Sequence, residues 1–274
     1  MMKAKEYART ILLGGVLLVT ISVQCLLWTV KSGPITESPW ARDVTFSGNQ
    51  VQQIYETFVK KDPAYHSKHQ AYTDLIDSRF KGHYDPKGRD APRVYILIDF
   101  IDWIQKHNIS SKNALFTDIN DPEINFLPHI RTTAIPYQFS SGQNDLHQLA
   151  LIDRTYDFVL FSQTLEHLYN PLLSLRNLYD HMDIGGYMFT SVPTLNVLHM
   201  YPHHFQHFTP SGLAMLCRSA GFEIVELGYW GNLEYAQKLL STYSWPDMYE
   251  VPRDSDGLHP AQTWILARKP GVSE

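Results

Sequence analysis

Between residues 113 and 268, short apolar runs rich in β-branched and aromatic residues alternate with amphipathic segments. No other feature of the chain constrains its fold as much. The expected strands are 113–119 (NALFTDI), 131–137 (RTTAIPY), 155–161 (TYDFVLF), 185–192 (GGYMFTSV), 222–229 (FEIVELGY) and 262–268 (QTWILAR). Helices are expected at 122–130, near 170–182, at 210–220 and at 232–242. Thr209 is an N-cap ahead of Pro210 at the first helical position, and Gly221 closes that helix. Strand and helix in alternation imply an α/β fold with a mainly parallel sheet. Upstream, Val51, Ile54, Tyr55 and Phe58 fall at helical spacing. Val94, Leu97, Ile98, Ile101 and Ile104 form one stripe of a well-buried helix. Residues 81–92 are polar and rich in Gly and Pro, as a loop is.

Residues 11–30 (ILLGGVLLVTISVQCLLWTV) carry no charge over twenty positions. As a helix they would span about 30 Å, the thickness of a bilayer core. The run is long for a cleaved signal peptide, and Thr29-Val30-Lys31-Ser32-Gly33 is a weak cleavage site. An uncleaved signal anchor is therefore expected. Lys3, Lys5 and Arg9 precede the span, which puts the short N-terminus in the cytoplasm. The expected arrangement is a type II membrane protein of the secretory pathway, in the endoplasmic reticulum or Golgi. Asn108-Ile109-Ser110 is a glycosylation sequon usable in a lumen. The expected organisation is a tail at 1–10, the anchor at 11–30 and a linker at 31–48. A helical extension at 49–112 and an α/β domain at 113–270 follow.

The 23 basic and 28 acidic residues give a net charge of −5. Residues 1–31 hold four basic residues against Glu6, so the rest carries 19 basic and 27 acidic. A body that acidic is a poor nucleic-acid binder, because phosphate contacts need a basic face. Only Cys217 lies in the body, Cys25 being inside the apolar run. An internal disulfide and a cysteine-built metal site are thereby excluded.

The stretch Tyr156-Asp157-Phe158-Val159-Leu160-Phe161-Ser162-Gln163-Thr164-Leu165-Glu166-His167-Leu168 resembles the fourth-strand motif of class I S-adenosylmethionine-dependent methyltransferases. Asn170-Pro171, Gly185-Gly186, the strand running into Pro193, His207-Phe208-Thr209-Pro210, Ala220-Gly221-Phe222 and Ala267-Arg268-Lys269-Pro270 are similar to the same family. The resemblance covers about residues 113–270. It implies a Rossmann-like sheet of seven strands whose last strand is antiparallel. It also implies S-adenosylmethionine lying across the carboxyl ends of the strands.

The chain departs from the family at the first strand. There the family has an acid followed by a glycine-rich turn; Phe116 to Asn125 supplies Asp118 and no glycine. Asn120 could stand in for one glycine, since Asn tolerates left-handed backbone. The acid that usually ends the second strand is also missing, Tyr137, Gln138 and Phe139 standing there.

The resemblance assigns the cofactor to Asp118, Asn120, Asp145, Gln163 and Glu166. Asp118 reads equally well as a cap of the segment after it. His167 would stand near the transferred methyl, and His204 or His207 would act as general base toward an acceptor hydroxyl. His199, His203 and His207 have an i, i+4, i+8 spacing that could hold a metal on a helix. Pro202 argues against that helix, so a substrate loop and no metal are expected. Asp254-Ser255-Asp256 matches the D-x-D of metal-dependent glycosyltransferases, but in a polar loop. The expected function is a membrane-anchored methyltransferase acting on a glycan, lipid or small molecule. The alternative is a methyltransferase fold that has lost catalysis and serves as a binding scaffold.

Overall fold

The computed structural model describes residues 44–71, 80, 82–85, 87, 89–118, 120–134, 146–148, 155–199 and 203–271. The chain divides into two units, Met1–Thr45 and Phe46–Glu274, and the architecture that follows is that of the second. The described part opens with α1 (Gly48–Ile54), which runs into a π turn at Tyr55–Val59. Ser47 caps α1 and exchanges hydrogen bonds with Gln50, a reciprocal capping box. Helices α2 (Pro63–Ala71) and α3 (Ala91–Lys106) follow. Next come β1 (Ser111–Phe116), β2 (His129–Ala134), β3 (Tyr156–Ser162), α4 (Pro171–Asp180) and β4 (Met182–Pro193). The chain ends with α5 (Pro210–Ser219), β5 (Glu223–Trp230), α6 (Leu233–Thr242) and β6 (Gln262–Arg268).

Six strands form one sheet in the order β2-β1-β3-β4-β6-β5. The β1–β2, β1–β3 and β3–β4 pairs are parallel. The last strand, β6, runs antiparallel to both β4 and β5. This is the Rossmann-like sheet that the alternation implies. The seventh strand that the resemblance implies is not among the described residues; 135–145 and 149–154, between β2 and β3, lie outside them. The apolar run at 11–30 lies outside them too; among the described residues no helix is long and apolar enough to cross a membrane.

Side chains alternate across the sheet, so the inner strands feed two cores. Ala114, Phe116, Phe158, Leu160 and Phe189 join one face with Val94, Leu97, Ile98 and Ile101 of α3. Leu115, Val159, Phe161 and Met188 join the other with Leu175 and Leu178 of α4 and Leu213 and Cys217 of α5. Burial of each such side chain contributes about 1.5–3 kcal/mol. Cys217 is wholly enclosed and burial pushes its thiol up to about 12, so it is a packing residue. Thr209 caps α5 through the Gly212 amide, and Gly221 after the helix takes φ 97°.

The helix expected at 122–130 is a single 3-10 turn, Pro122–Phe126. Twelve residues, 117–128, separate β1 from β2. A parallel crossover needs about that many merely to return, which leaves room for one turn.

One polar contact crosses the α3 face. Asp99 of α3 accepts from Lys68 Nζ at 2.8 Å and from the indole of Trp264 on β6 at 3.1 Å. Gly228 on β5 lets this happen, because a Cβ there would lie 2.3 Å from Trp264 Nε1 and 2.8 Å from Asp99 Oδ2. Gly228→Ala is expected to destabilise the protein by about 1–3 kcal/mol in urea denaturation, as overpacking does. Gly48→Ala, whose new methyl meets nothing within 4 Å, should leave stability unchanged or slightly raised. Equal midpoints for Gly228→Ala and wild type would contradict this packing.

Candidate active site

The chain leaves β1 toward β2 on one side and returns to β3 on the other. Strand order reverses there, and open α/β sheets bind ligands in the crevice at the carboxyl ends of the two strands. The turn after β1 is closed by side chains. Asp118 Oδ1 accepts from the Asn120 amide at 2.8 Å and from Asn120 Nδ2 at 3.0 Å. Asn120 thus holds the turn through both of its amide groups. The left-handed residue of the crevice is Gln163, at φ 47°. Asp118 does not cap the 3-10 turn that follows, whose N-cap is Asp121; its Oδ1 closes the turn before it.

Behind this turn lies a buried charge cluster. Arg93, from the first turn of α3, donates through Nη2 to Asp121 Oδ1 at 2.9 Å and to Glu123 Oε2 at 2.8 Å. Ser162, at the end of β3, donates to Glu123 Oε1 at 3.2 Å. Burial and the neighbouring Glu123 push the Asp121 carboxyl well above the usual carboxylate range, while Arg93 pulls it down. Asp121 Oδ2 and Arg93 Nη1 remain buried with no partner. Together they present one acceptor and one donor, which match the ammonium and carboxylate of an α-amino acid. Arg93 also lines a cavity of about 540 Å³ with Tyr84, Asn120, Pro122, Asn125 and Trp245. Small-molecule sites run to roughly 300–1,000 Å³. The donor set therefore fits the amino-acid end of S-adenosylmethionine.

The sequence reading missed Arg93, Asp121 and Glu123. The acids directly after strand one were a visible signal, but nothing local marks Arg93 some thirty positions upstream.

Beyond β3, Thr164 hydrogen-bonds Thr117 at 3.1 Å, tying the two strand ends together. The 3-10 turn Leu165–His167 then turns Glu166 inward. Glu166 is fully buried and neither carboxylate oxygen has a partner. Burial pushes its carboxyl up to about 8, and it lies within electrostatic reach of Arg93 and Asp121.

Residues 203–209, which have no regular secondary structure, form a strap across this turn. Phe205 N–H donates to the Glu166 carbonyl at 2.8 Å, and Gln206 Nε2 to the Leu168 carbonyl at 2.8 Å. His167 Nδ1 donates to the His203 carbonyl at 2.6 Å, which leaves the Nε2 lone pair on the Glu166 side. Ring centroids lie 5.0 Å apart for His167 and His199, and 4.6 Å apart for both His199–His204 and His204–His207. His204 Nδ1 accepts from the His199 amide at 3.4 Å, so its buried Nε2 carries the proton and has no partner. Burial and the neighbouring imidazoles lower His204 to about 4. It is neutral at pH 7 and suited to donating a hydrogen bond. Trp245 joins the two halves of the site: it lines the cavity, and its ring lies 6.0 Å from His199.

Glu166, His167, His204 and His207 are thus brought together. The Gln163 amide is not: its Nε2 donates to Ser191 Oγ and Gln262 Oε1, toward β4 and β6. Asp145 lies outside the described residues. The described part of the segment that would align His199, His203 and His207 is not helical: 203–209 have no regular secondary structure. Asp254-Ser255-Asp256 is a structural loop. The Ser255 hydroxyl donates to the Gly231 carbonyl, and Asp256 accepts from the amides of Leu233, Leu258 and His259. That use leaves no basis for the D-x-D reading.

Arg93→Met should remove about 3–5 kcal/mol of stability, because it strands two buried carboxylates. The loss should grow with pH. Carboxyls held above their unfolded pKa bind more protons when folded, so stability falls as pH rises through neutrality. Chemical denaturation at pH 5 and pH 8 checks both, and a variant equally stable at the two pH values would contradict the cluster.

A methyltransferase-domain family matches residues 58–227, more than half of the 274. No curated protein matches the chain. Several solved structures are similar to the chain at low identity. The 1,6-didemethyltoxoflavin-N1-methyltransferase of Burkholderia thailandensis, bound to S-adenosylhomocysteine, is 17% identical, with 77% of this chain and 93% of that one covered at a TM-score of 0.45. The N-methyltransferase NodS of Bradyrhizobium japonicum, with the same ligand, is 11% identical over 72% and 98% at 0.43. The [4+2]-cyclase SpnF is 14% identical over 76% and 97% at 0.45. On the family match and its sheet order, the chain belongs to the class I S-adenosylmethionine-dependent methyltransferases.

Proposed function

We propose that the protein transfers a methyl group from S-adenosylmethionine to a hydroxyl or similar group of a glycan, lipid or small molecule. The reading is carried by one juxtaposition. The cavity beside Arg93 and the histidine cluster around Glu166 share Trp245, so a donor site and an acceptor site adjoin. Arg93 Nη1 would take the cofactor's carboxylate, and Asp121 Oδ2 its ammonium. When bound, the cofactor supplies a methyl already activated on a sulfonium. What the protein must add is orientation and a place for the acceptor's proton. His204 Nε2–H can orient an acceptor oxygen by donating to it. His207, at the outer end of the cluster, is the base that takes the proton. His167, held in one tautomer by the His203 carbonyl, positions Glu166 and the strap.

The reading includes a type II membrane anchor at residues 11–30, with the body in the lumen of the secretory pathway. The uncharged twenty-residue run and its basic flank support it. So does Asn108 of the sequon, which is exposed in a left-handed turn after α3.

A second reading, a binding scaffold without catalysis, is favoured by the glycine-free turn and by the ion pairs of Arg93 with Asp121 and Glu123. Calorimetric titration of the full chain with S-adenosylmethionine and its demethylated product separates the two. A real site at a hundredfold over its Kd should add about 2.7 kcal/mol to unfolding. Asp121→Asn should weaken binding at least about tenfold, the loss of one charge-assisted hydrogen bond. No heat of binding at millimolar ligand would leave only the scaffold.

A further inference from the structure

We infer that the cavity between α1, α5 and the start of β5 binds a zwitterionic amphiphile, one whose head carries a phosphate next to an ammonium. The cavity measures about 400 Å³, within the roughly 300–1,000 Å³ of small-molecule sites. Phe46, Ile54 and Phe58 give it an apolar wall, and Gln53, Arg218 and Glu223 are polar members of its lining. Glu223 is the first residue of β5, which runs in the same direction as β4 because β6 is antiparallel to both. The cavity therefore lies at the amino end of the sheet, opposite the crevice beside Arg93. A ligand held there is not the methyl acceptor, and the inference does not rest on the methyl-transfer reading.

Two charges of opposite sign line this cavity without pairing. Arg218 of α5 donates through Nη1 to the Phe222 carbonyl at 3.0 Å, which fixes its guanidinium. The Nε–Nη2 edge has no partner among the described residues, and Nε is buried. A buried donor left unsatisfied is rare in a native fold and calls for a ligand, an ion or a water. The Glu223 carboxylate likewise has no ion pair or hydrogen bond among the described residues. A plain anion would meet repulsion from Glu223, and a plain cation from Arg218, so a head of both signs fits. The open edge of a guanidinium fork grips a phosphate through two N–H groups, and the carboxylate takes the ammonium. The wall comes from an unusual piece of backbone. Lys60 N–H donates to the Tyr55 carbonyl at 2.8 Å, five residues back, which makes Tyr55–Val59 a π turn. Such turns are rare and concentrate at functional sites. Ile54 and Phe58, on either side of its start, pack on the core beneath, so the apolar wall is fixed and can take the ligand's hydrocarbon.

The test titrates the full chain calorimetrically with dihexanoylphosphatidylethanolamine below its micellar concentration. Dihexanoylphosphatidylglycerol, which has the phosphate and no ammonium, and free phosphoethanolamine, which has the head and no hydrocarbon, are the comparison ligands. The ethanolamine lipid should bind at one per chain, and each comparison ligand at least about tenfold more weakly, the loss of one charge-assisted contact or of the apolar wall. These comparisons need no variant. Arg218→Gln should weaken the ethanolamine lipid at least about tenfold, whereas hydrocarbon taken up elsewhere on the chain would persist in that variant. Glu223→Gln, at an exposed position, should bring the two lipids to equal affinity. Equal binding of the two lipids by wild type, free phosphoethanolamine bound as well as the lipid, or no binding at all would each overturn the inference.

Discussion

The guanidinium of Arg93 holds the working end of this molecule together. It reaches from the first turn of α3 to two carboxylates on the turn after β1, and one of those carboxylates also accepts from Ser162 at the end of β3. Three elements distant in sequence are thereby locked at the point where strand order reverses. Elsewhere in such folds, glycines let a backbone lie close to a ligand. Here the turn is short, led by Pro122 and tied by the Asp118 side chain. Shape is set by side-chain hydrogen bonds and buried charge rather than by backbone freedom. A pin of this kind is costly to desolvate, and it makes the turn intolerant of losing any one member.

The same pin shapes the electrostatics of the site. Asp121, Glu123 and Glu166 crowd acidic groups around one cation, and two of the three sit well above their ordinary titration range. The next shell is four imidazoles, of which His167 and His204 are held largely neutral by burial. A site so arranged has a deficit of positive charge at its centre. A sulfonium cofactor beside Asp121 would answer that deficit.

The inner strands were legible in the sequence because each carries an apolar run that feeds two cores, whereas β2 (His129–Ala134) is polar and exposed and its bounds were less so. The helices were legible from caps such as Thr209 and from the Val94–Ile104 stripe. The 3-10 turn at Pro122–Phe126 was not, because crossover length rather than propensity decides it. Within the site, Glu166, His167 and the histidine strap follow from their position after β3, and a local reading finds them. Arg93 does not, since its partners lie about thirty residues away and pairing over that distance leaves no local pattern. The direction of the Gln163 side chain was not legible for a related reason: its amide bonds Ser191 and Gln262 from a left-handed backbone, and a one-dimensional motif carries no side-chain direction.

The claim that a glycine-free turn can still cradle the cofactor is tested most directly by locating the cofactor on the chain. Full-length protein would be irradiated with radiolabelled S-adenosylmethionine, digested, and the labelled peptides sequenced. Label on peptides spanning 83–93 or 117–125 is the expected result, reduced in Arg93→Met relative to wild type. Label elsewhere, or none above a heat-denatured control, would contradict the account.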